Sequence, residues 1–269
     1  EKLASGETSY KVDVNDFSSL EAELAEGLNR ISDGLETALA EQVKSERLKA
    51  DLITNVSHDI KTPLTSIINY VDLIKRQHIE DPTVQKYLEV LDQKSQRLKT
   101  LTEDLVEASR ASSGNIKLEI TNIDFVELVQ QTTGEFEEKY AIRHLEIVNT
   151  LPNEVIMIEA DGRRLWRVLE NLYNNAFKYA LEGTRVYVTI EDHGADVVFT
   201  IKNVSANPLN ISPDELTERF VRGDVSRTTE GSGLGLSIAK DLTTLQGGKF
   251  ELIIDGDLFK AQITFPIKN

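Results

Sequence analysis

The chain has 269 residues and a formal net charge of −15, with 45 acidic residues against 30 basic ones. This length has room for about two domains. The negative charge, with no visible basic stripe, argues against a surface that binds DNA or RNA. The absence of cysteine excludes disulfides and thiolate catalysis. No apolar run approaches the roughly 20 residues of a membrane span, and no signal peptide is visible.

The first 110 residues or so have a helical pattern with few breakers. Near the start, apolar residues alternate spacings of four and three, as in the seam of a coiled coil: Leu24, Leu28, Ile31, Leu35 and Ala38. We expect one helix from about Phe17 to the stretch 78–82, and a second from Pro82 with leucines at seven-residue spacing. Two long helices and one short connection predict an antiparallel hairpin. Because a lone hairpin cannot bury both seams, we expect a homodimer that forms a four-helix bundle.

The segment 57–63 reads Ser-His-Asp-Ile-Lys-Thr-Pro and lies within the first predicted helix. At about 100° per residue, His58 falls on the face opposite the neighbouring apolar residues. Thr62 follows one turn later on the same face, and Asp59 lies beside the histidine. We expect Pro63 to kink the helix just after this group. An exposed imidazole flanked by a carboxylate and a hydroxyl indicates chemistry on the imidazole.

After residues 112–114, a predicted hinge, the pattern changes to short strands mixed with helices. Strands are predicted at Ile116–Ile120, Leu145–Asn149, Val155–Glu159, Val186–Glu191, Val197–Lys202, Phe250–Asp255 and Leu258–Phe265. Helices are predicted at about Phe125–Lys139, Arg163–Ala180 and Leu234–Gln246. The sequence therefore predicts a compact α/β domain of two layers.

One helix of this domain places polar residues on a single face. Asn171, Asn175 and Lys178 are spaced by four and three. Amide oxygens suit a hydrated magnesium ion, since Mg²⁺ takes oxygen ligands and keeps much of its water. The ammonium group suits phosphate oxygens. Taken alone, this face reads more often as a solvated polar surface.

A glycine-rich turn precedes the last predicted helix, with Gly-x-Gly-x-Gly at residues 231–235. Such glycines let the backbone approach a phosphate at a helix N-terminus. The long segment before this turn contains Phe220, Arg222 and Arg227. A loop of this length in a compact domain is usually a functional lid or disordered, and its arginines can hold phosphates.

Together these segments resemble the sensor histidine kinases of bacterial two-component systems. The His58 segment looks like the H-box, residues 171–179 like the N-box, the Phe220 region like the F-box, and residues 231–235 like the second glycine box. All four occur in the order of the family. The resemblance implies a dimeric helical hairpin followed by an α/β two-layer ATP-binding domain of the Bergerat type, shared with gyrase, heat-shock protein 90 and mismatch-repair ATPases.

The resemblance extends to the start of the chain. Residues 1–42 resemble the second half of a HAMP signalling module, residues 43–112 a dimerisation and histidine phosphotransfer domain, and residues 115–269 a catalytic ATP-binding domain. We therefore expect a fragment, since the first residue is Glu1 rather than methionine, and a transmembrane sensor upstream of it. The chain would be the cytoplasmic portion of a bacterial cell-membrane protein.

The resemblance also implies a reaction. ATP would bind between the N-box helix and the lid, with Mg²⁺ held partly by Asn175. The imidazole of His58 would attack the γ-phosphate while Asp59 accepts or steers the released proton. The phosphoryl group would pass to an aspartate in the receiver domain of a response regulator. Thr62 matches the position that orients water for dephosphorylating the regulator, so kinase and phosphatase activities are both expected.

The resemblance implies that the nucleotide is bound by residues of three boxes (the N-box, the F-box region and the second glycine box) and of one further strand end. These are Asn171, Asn175, Lys178, Tyr179, Asn203, Phe220, Arg222, Arg227, Gly231, Gly233, Leu234 and Gly235. The first glycine box of the family normally opens with an aspartate, followed by glycines; this chain has Asn203 at the aspartate position and lacks those glycines. An asparagine carbonyl can accept the same bond from the adenine amino group, but without the charge. The sequence therefore predicts weaker ATP binding.

Two functions of other classes stay open at this stage. The lost glycine box favours a non-catalytic dimeric scaffold with a degenerate nucleotide site. An ATP hydrolase of the gyrase type would need a glutamate base at the position of Asn171. An amide cannot act as that base, and Glu170 is turned about 100° away.

Overall fold

The computed structural model describes residues 11–12, 19–77, 79–114, 116–218 and 232–268. The chain divides into two units, one ending at Val56 and the other beginning at Ser57. In the first unit, the Val12 backbone and the Asn29 side chain exchange two hydrogen bonds, of 2.8 and 3.0 Å. Residues 1–42 resemble a HAMP module. Most of those that precede the coiled-coil seam lie outside the described ranges.

Two long helices form the predicted hairpin: α1 spans Ser19–Lys75 and α2 spans Pro82–Ser112. Helix α1 continues through Pro63. The second helix begins at Pro82 as predicted, because Asp81 caps it by accepting a bond from the Thr83 N–H at 2.8 Å. Near the turn, the Lys75 Nζ lies 2.6 Å from an Asp92 carboxylate oxygen and links the helices.

The apolar residues of the hairpin fall into two groups. Leu64 and Val71, seven residues apart, are only 3% and 2% exposed. Ile60, Ile67 and Ile74, also at intervals of seven, are 38%, 45% and 40% exposed. Leu91 and Leu98 of α2 are each 47% exposed. One apolar row of each helix is therefore open to solvent in a single chain.

The rest of the second unit is an α/β domain of seven strands and four helices in its described residues. Its strands are β1 Thr121–Asp124, β2 Glu146–Thr150, β3 Met157–Ala160, β4 Arg185–Asp192, β5 Asp196–Val204, β6 Lys249–Asp255 and β7 Leu258–Pro266. Its helices are α3 Phe125–Ala141, α4 Gly162–Tyr179, α5 Pro213–Thr217 and α6 Gly235–Leu245.

The main sheet has the strand order β2-β4-β5-β7-β6, and β1 pairs separately with β3. Only β2 and β4 run parallel among the pairs of the main sheet; the other pairs are antiparallel. Alternate residues of the central strands are buried in the core, among them Phe199 and Ile263, both 0% exposed. Helices α3, α4 and α6 contribute their apolar faces to the same core. This is the predicted two-layer domain with a mixed sheet.

Two local predictions need correction. The stretch Ile116–Ile120 is not a strand, because the partner strand β3 pairs with the next residues, 121–124. Its backbone is held differently, with the Glu119 N–H donating to the Asp161 carboxylate at 3.0 Å. The long segment after β5 also contains the short helix α5, which a capping box between Ser212 and Glu215 begins.

Candidate functional site

A cavity opens where α4, the end of β5 and the start of α6 meet the second half of α2. Its lining residues are Thr100, Asp104, Arg167, Asn171, Asn174, Asn175, Lys178, Tyr179, Asn203, Ser205, Asn207, Leu209, Leu216, Ser232, Gly233, Gly235, Leu236 and Phe259. Seven of the predicted nucleotide-binding residues are among them. The structure thus brings together segments that lie far apart in the sequence.

Helix α4 presents a polar face to this cavity and an apolar face to the core. Its buried residues are Leu165, Val168, Leu169, Leu172, Tyr173 and Ala176. The cavity-lining residues Asn171, Asn174, Asn175 and Lys178 recur at intervals of three and four, the spacing of one helical face. The predicted polar face is therefore a cavity wall rather than a solvated surface.

The C-terminal end of α4 is fixed by hydrogen bonds from outside the helix. The Arg143 guanidinium donates to the backbone carbonyls of Phe177, Lys178 and Ala180. These are carbonyls that a helix end leaves without intrahelical partners. The Ala206 N–H also donates to the Tyr179 carbonyl at 2.8 Å. The end of α4 is thereby held beside the residues that follow β5.

Asn203 lies at the end of β5 and is only 3% exposed. Its Nδ2 donates to the Val204 carbonyl at 3.2 Å. This bond engages an amide donor and leaves the Oδ1 atom as an acceptor. The structure thus provides a buried, uncharged acceptor at the position where the family has an aspartate.

The glycine turn lies against α4. Gly233 has a φ of 71°, which favours glycine. A Cβ at Gly235 would lie 3.2 Å from the Asn171 Oδ1, so the backbone approaches α4 closely. No side chain among the described residues caps the N-terminus of α6. The first N–H groups of α6 are therefore suited to donate hydrogen bonds to a bound anion.

An ionic cluster joins α2 to α4 at the edge of the cavity. The Arg167 guanidinium lies 2.5 Å from Asp104, 2.8 Å from Glu107 and 2.5 Å from Glu170. Burial alone would lower the pKa of Arg167, but its hydrogen bonds with Glu170 and Glu107 outweigh this and raise it. The Ser232 hydroxyl also donates to Asp104, at 3.0 Å. The cluster is mostly buried and fixes the α2 side of the cavity.

The predicted phospho-acceptor group lies on α1, away from the cavity lining. His58 and Asp59 are exposed, with 4.0 Å between the His58 Nδ1 and the Asp59 Oδ1. The exposed Thr62 hydroxyl donates to the His58 carbonyl at 3.5 Å, one helical turn back. Ser57, which directly precedes His58, is 2% exposed, and the Ser57 hydroxyl has no partner among the described residues. The imidazole is displayed to solvent, as predicted.

The remaining predicted residues differ in their placement. Leu234 does not line the cavity, because its side chain is in the core with 1% exposure. Phe220, Arg222, Arg227 and Gly231 lie outside the residues that the structure describes. Among those it does describe, no group of three or more acidic, histidine or cysteine side chains is placed to hold a metal.

Sequence reasoning missed several cavity residues. Asn174 could have been predicted from the sequence, because it lies three residues after Asn171 on the same helical face. Asp104 and Thr100 come from α2, and only the tertiary structure brings that helix to α4. Ser232 lies within the glycine turn, but its bond to Asp104 has no sequence signal.

Two family models match the chain. Residues 48–114 match the His Kinase A (phospho-acceptor) domain. Residues 160–268 match the histidine kinase-, DNA gyrase B-, and HSP90-like ATPase. The chain belongs to the sensor histidine kinases. The family and fold class that the sequence predicts are thus confirmed.

One relative is similar in sequence, and one solved structure is similar in fold. The chain is 28% identical over 237 residues to the sensor histidine kinase WalK of Bacillus subtilis, covering 86% of the chain and 39% of WalK. The structure is similar to full-length ShkA in complex with AMPPNP, with a TM-score of 0.69 and 23% identity, over 81% of this chain and 46% of ShkA.

A second solved structure has the same fold. This is the histidine kinase ThkA in complex with the response regulator protein TrrA, with a TM-score of 0.57 and 24% identity, over 87% of this chain and 67% of that one. The chain spans well under half the length of WalK. None of the helices in the described residues is long and apolar enough to cross a membrane.

Proposed function

We propose that this histidine kinase region binds ATP in the cavity and transfers the γ-phosphoryl group to His58. The observation that carries the proposal is the meeting of Asn171, Asn175, Lys178 and Asn203 with the α6 N-terminus around one cavity. Such a cavity offers an acceptor for a base, a cation and backbone donors for phosphates, and amide oxygens for a metal. An exposed histidine in the same chain supplies the nucleophile.

Magnesium fits the donor set as a partly hydrated ion. The Asn171 Nδ2 donates to the Arg167 carbonyl at 3.0 Å, and the Asn171 Oδ1 lies on the side of Gly235. We propose Asn175 as the principal protein ligand, with phosphate oxygens and water completing the coordination. When bound, the ion would neutralise negative charge on the triphosphate.

The position of Asp59 indicates which nitrogen of the His58 imidazole reacts. Asp59 lies on the Nδ1 side of His58, so we assign Nε2 as the nucleophile. The Nε2–phosphorus bond forms, the bond from phosphorus to the β–γ bridging oxygen breaks, and ADP leaves. The Nδ1 proton passes to Asp59 or to water. Because the cavity lining does not include His58, we infer that a conformational change brings the two together.

The partner of the phosphorylated histidine is an aspartate of a receiver domain. The ThkA structure, which has the same fold, is a complex with a response regulator. We propose that a regulator docks on the hairpin near His58 and takes the phosphoryl group. Thr62, one turn from His58, would orient the water that later dephosphorylates it. Since ATP is its substrate, this region would act in the cytoplasm, below a membrane sensor.

We also propose a homodimer formed through the hairpin. The exposed rows of α1 and α2 would pack against the same rows of a second copy. Ile67→Asp would place a charge in that contact and should produce monomers in size-exclusion chromatography with light scattering. Ile142→Asp changes an isoleucine that is 77% exposed in the α/β domain, so it should leave the dimer intact.

A function as an ATP hydrolase is not favoured. A hydrolase of the gyrase type needs a glutamate base on α4, but the Glu170 carboxylate is paired with Arg167 at 2.5 Å. A scaffold without catalysis is also not favoured, because the cavity keeps its polar wall despite the missing first glycine box.

ATP labelled at the γ-phosphate distinguishes these three functions. The kinase would carry protein-bound label that survives alkali and is lost in acid, as a phosphoramidate does. A hydrolase would release free phosphate without labelling itself, and a scaffold would do neither. His58→Gln should abolish the label. His193→Gln, a change at an exposed histidine of the α/β domain, is the matched control and should keep it.

A further inference from the structure

Asn174 lies on the cavity wall between the predicted nucleotide-binding residues of α4, but it is not among the residues that the sequence predicts to bind the nucleotide. Lys139 of α3 donates from Nζ to the Asn174 Oδ1 at 2.6 Å. An ammonium group has only donors, so the amide atom that faces it must be the oxygen. This fixes the orientation of the amide, which is otherwise ambiguous for asparagine.

With its oxygen engaged, Asn174 keeps its NH₂ group for another partner. No described residue accepts a hydrogen bond from this group. Asn174 lines the same cavity as Asn171, Asn175 and Lys178, so an occupant of the cavity is the available acceptor. An acceptor without donors of its own, such as a phosphate oxygen, matches an NH₂ group best.

Lys139 is held in place by more than this one bond. Its Nζ lies 5.1 Å from the Phe136 ring centroid and 4.8 Å from the Phe177 ring centroid. Burial lowers the pKa of Lys139, and the nearby positive charge of Lys178 lowers it further. The two ammonium groups therefore repel each other, and an anion in the cavity would offset that repulsion.

We propose that Asn174 is a further nucleotide-binding residue, whose NH₂ group donates to a phosphate oxygen of the bound nucleotide, and that Lys139 is its positioning residue. This inference rests on the proposed function, since it assumes that ATP occupies the cavity. The inference also predicts which ligands Asn174 would stabilise. The contribution of Asn174 depends on the phosphates and is absent for a nucleoside that has none.

Asn174→Asp separates this role from a structural one. The carboxylate keeps a partner for Lys139, so α3 and α4 stay joined. It removes both N–H donors and brings a negative charge to the phosphates. Calorimetry on the full chain with magnesium and AMPPNP should show binding at least about tenfold weaker, from the lost bond and the added repulsion. Adenosine, measured by competition, should bind as it does to the unaltered chain.

The control is Asn122→Asp. Asn122 of β1 also accepts a bond from a lysine, with Lys268 Nζ 3.0 Å from its Oδ1, but it does not line the cavity. This variant should bind AMPPNP normally. A second test, Lys139→Met, keeps an unbranched apolar stem over both rings while freeing the amide. It should weaken AMPPNP about threefold and leave adenosine unchanged.

The outcomes are distinct. Unchanged AMPPNP affinity in Asn174→Asp would overturn the inference and leave the proposed function standing. An equal loss of AMPPNP and adenosine would also overturn it, since it would show a structural role. If the unaltered chain bound no nucleotide, both the inference and the proposed function would fall. A loss confined to AMPPNP, with Asn122→Asp normal, is the predicted result.

Discussion

The hairpin and the α/β domain use their apolar residues in different ways. In the α/β domain, the large side chains of the sheet and helices are buried within one chain, as Phe199 and Tyr173 are. In the hairpin, Ile67 and Leu98 are nearly half exposed. The cavity is built on a core that one chain completes, whereas the helices that display His58 leave apolar rows exposed, which the proposed dimer would bury.

The same contrast holds for the groups that carry the chemistry. Asn203 is buried and hydrogen-bonded, so its position depends on the surrounding fold. His58 and Thr62 are exposed, so the hairpin can present them to the cavity and then to a regulator. Substitutions of buried residues in the α/β domain should therefore change stability strongly, whereas substitution of an exposed reactive group of the hairpin should change activity with little effect on stability.

The largest effect on stability is expected from the core of the α/β domain. Phe199→Ala removes a ring that packs near Phe125 and Tyr173, at centroid distances of 6.3 and 6.4 Å. We expect it to lower the free energy of unfolding by about 3–5 kcal/mol. Tyr87→Ala, at a hairpin position that is 67% exposed, should cost far less. Denaturant unfolding of both variants measures this, and similar losses would contradict the comparison.

A smaller effect is expected at the ionic cluster that joins the two regions. Arg167→Met would remove the guanidinium from this cluster: Glu107 would keep its pair with Arg164, but the mostly buried Asp104 carboxylate would keep only the neutral Ser232 hydroxyl among the partners described above. We expect a loss of about 3 kcal/mol in the free energy of unfolding. Arg185→Met breaks an exposed pair with Glu146 and should cost far less, because solvent screens such a pair. If the two substitutions cost the same, the cluster does not hold the regions together.

Asn203 tests the buried acceptor of the cavity. Asn203→Ala should cost about 1–3 kcal/mol of ATP-analogue binding, because it leaves the bound base without an acceptor. Asn203→Asp should tighten binding modestly, since charge-assisted bonds are stronger. Calorimetry measures both, with Asn149→Ala as a control on the exposed end of β2. Unchanged affinity in Asn203→Ala would show that the base is bound elsewhere.

The smallest effect on stability is expected at Thr62. Thr62→Ala removes an exposed hydroxyl and should change the free energy of unfolding by less than about 0.5 kcal/mol. Autophosphorylation should be largely kept, while dephosphorylation of the regulator falls. Thr65→Ala removes a similar exposed hydroxyl three residues later and should change neither. A parallel fall of both activities in Thr62→Ala would refute the phosphatase role.

Local patterns predicted much of this molecule. The apolar periodicity and Pro82 located both hairpin helices, and the spacing of Asn171, Asn175 and Lys178 located the polar face of α4. These features repeat at intervals that a helix dictates. The order of the four motifs identified the family, which no single motif did.

Features that depend on tertiary contacts escaped prediction. The alternation in residues 116–120 looked like a strand, but a strand also needs a partner in register. The cluster around Arg167 joins charges that are about 60 residues apart in the chain. The bond from Lys139 to Asn174 likewise joins two helices. Sequence spacing carries no information about such pairs.

The central claim is that phosphate from ATP ends on the His58 imidazole. The most direct measurement is peptide mass spectrometry of the full chain after incubation with magnesium and ATP, with digestion kept at neutral to alkaline pH so that phosphohistidine survives. We expect a phosphorylated peptide that contains His58, and fragment ions that place the phosphate on that residue. Phosphate on another residue, or free phosphate with an unmodified His58 peptide, would contradict it.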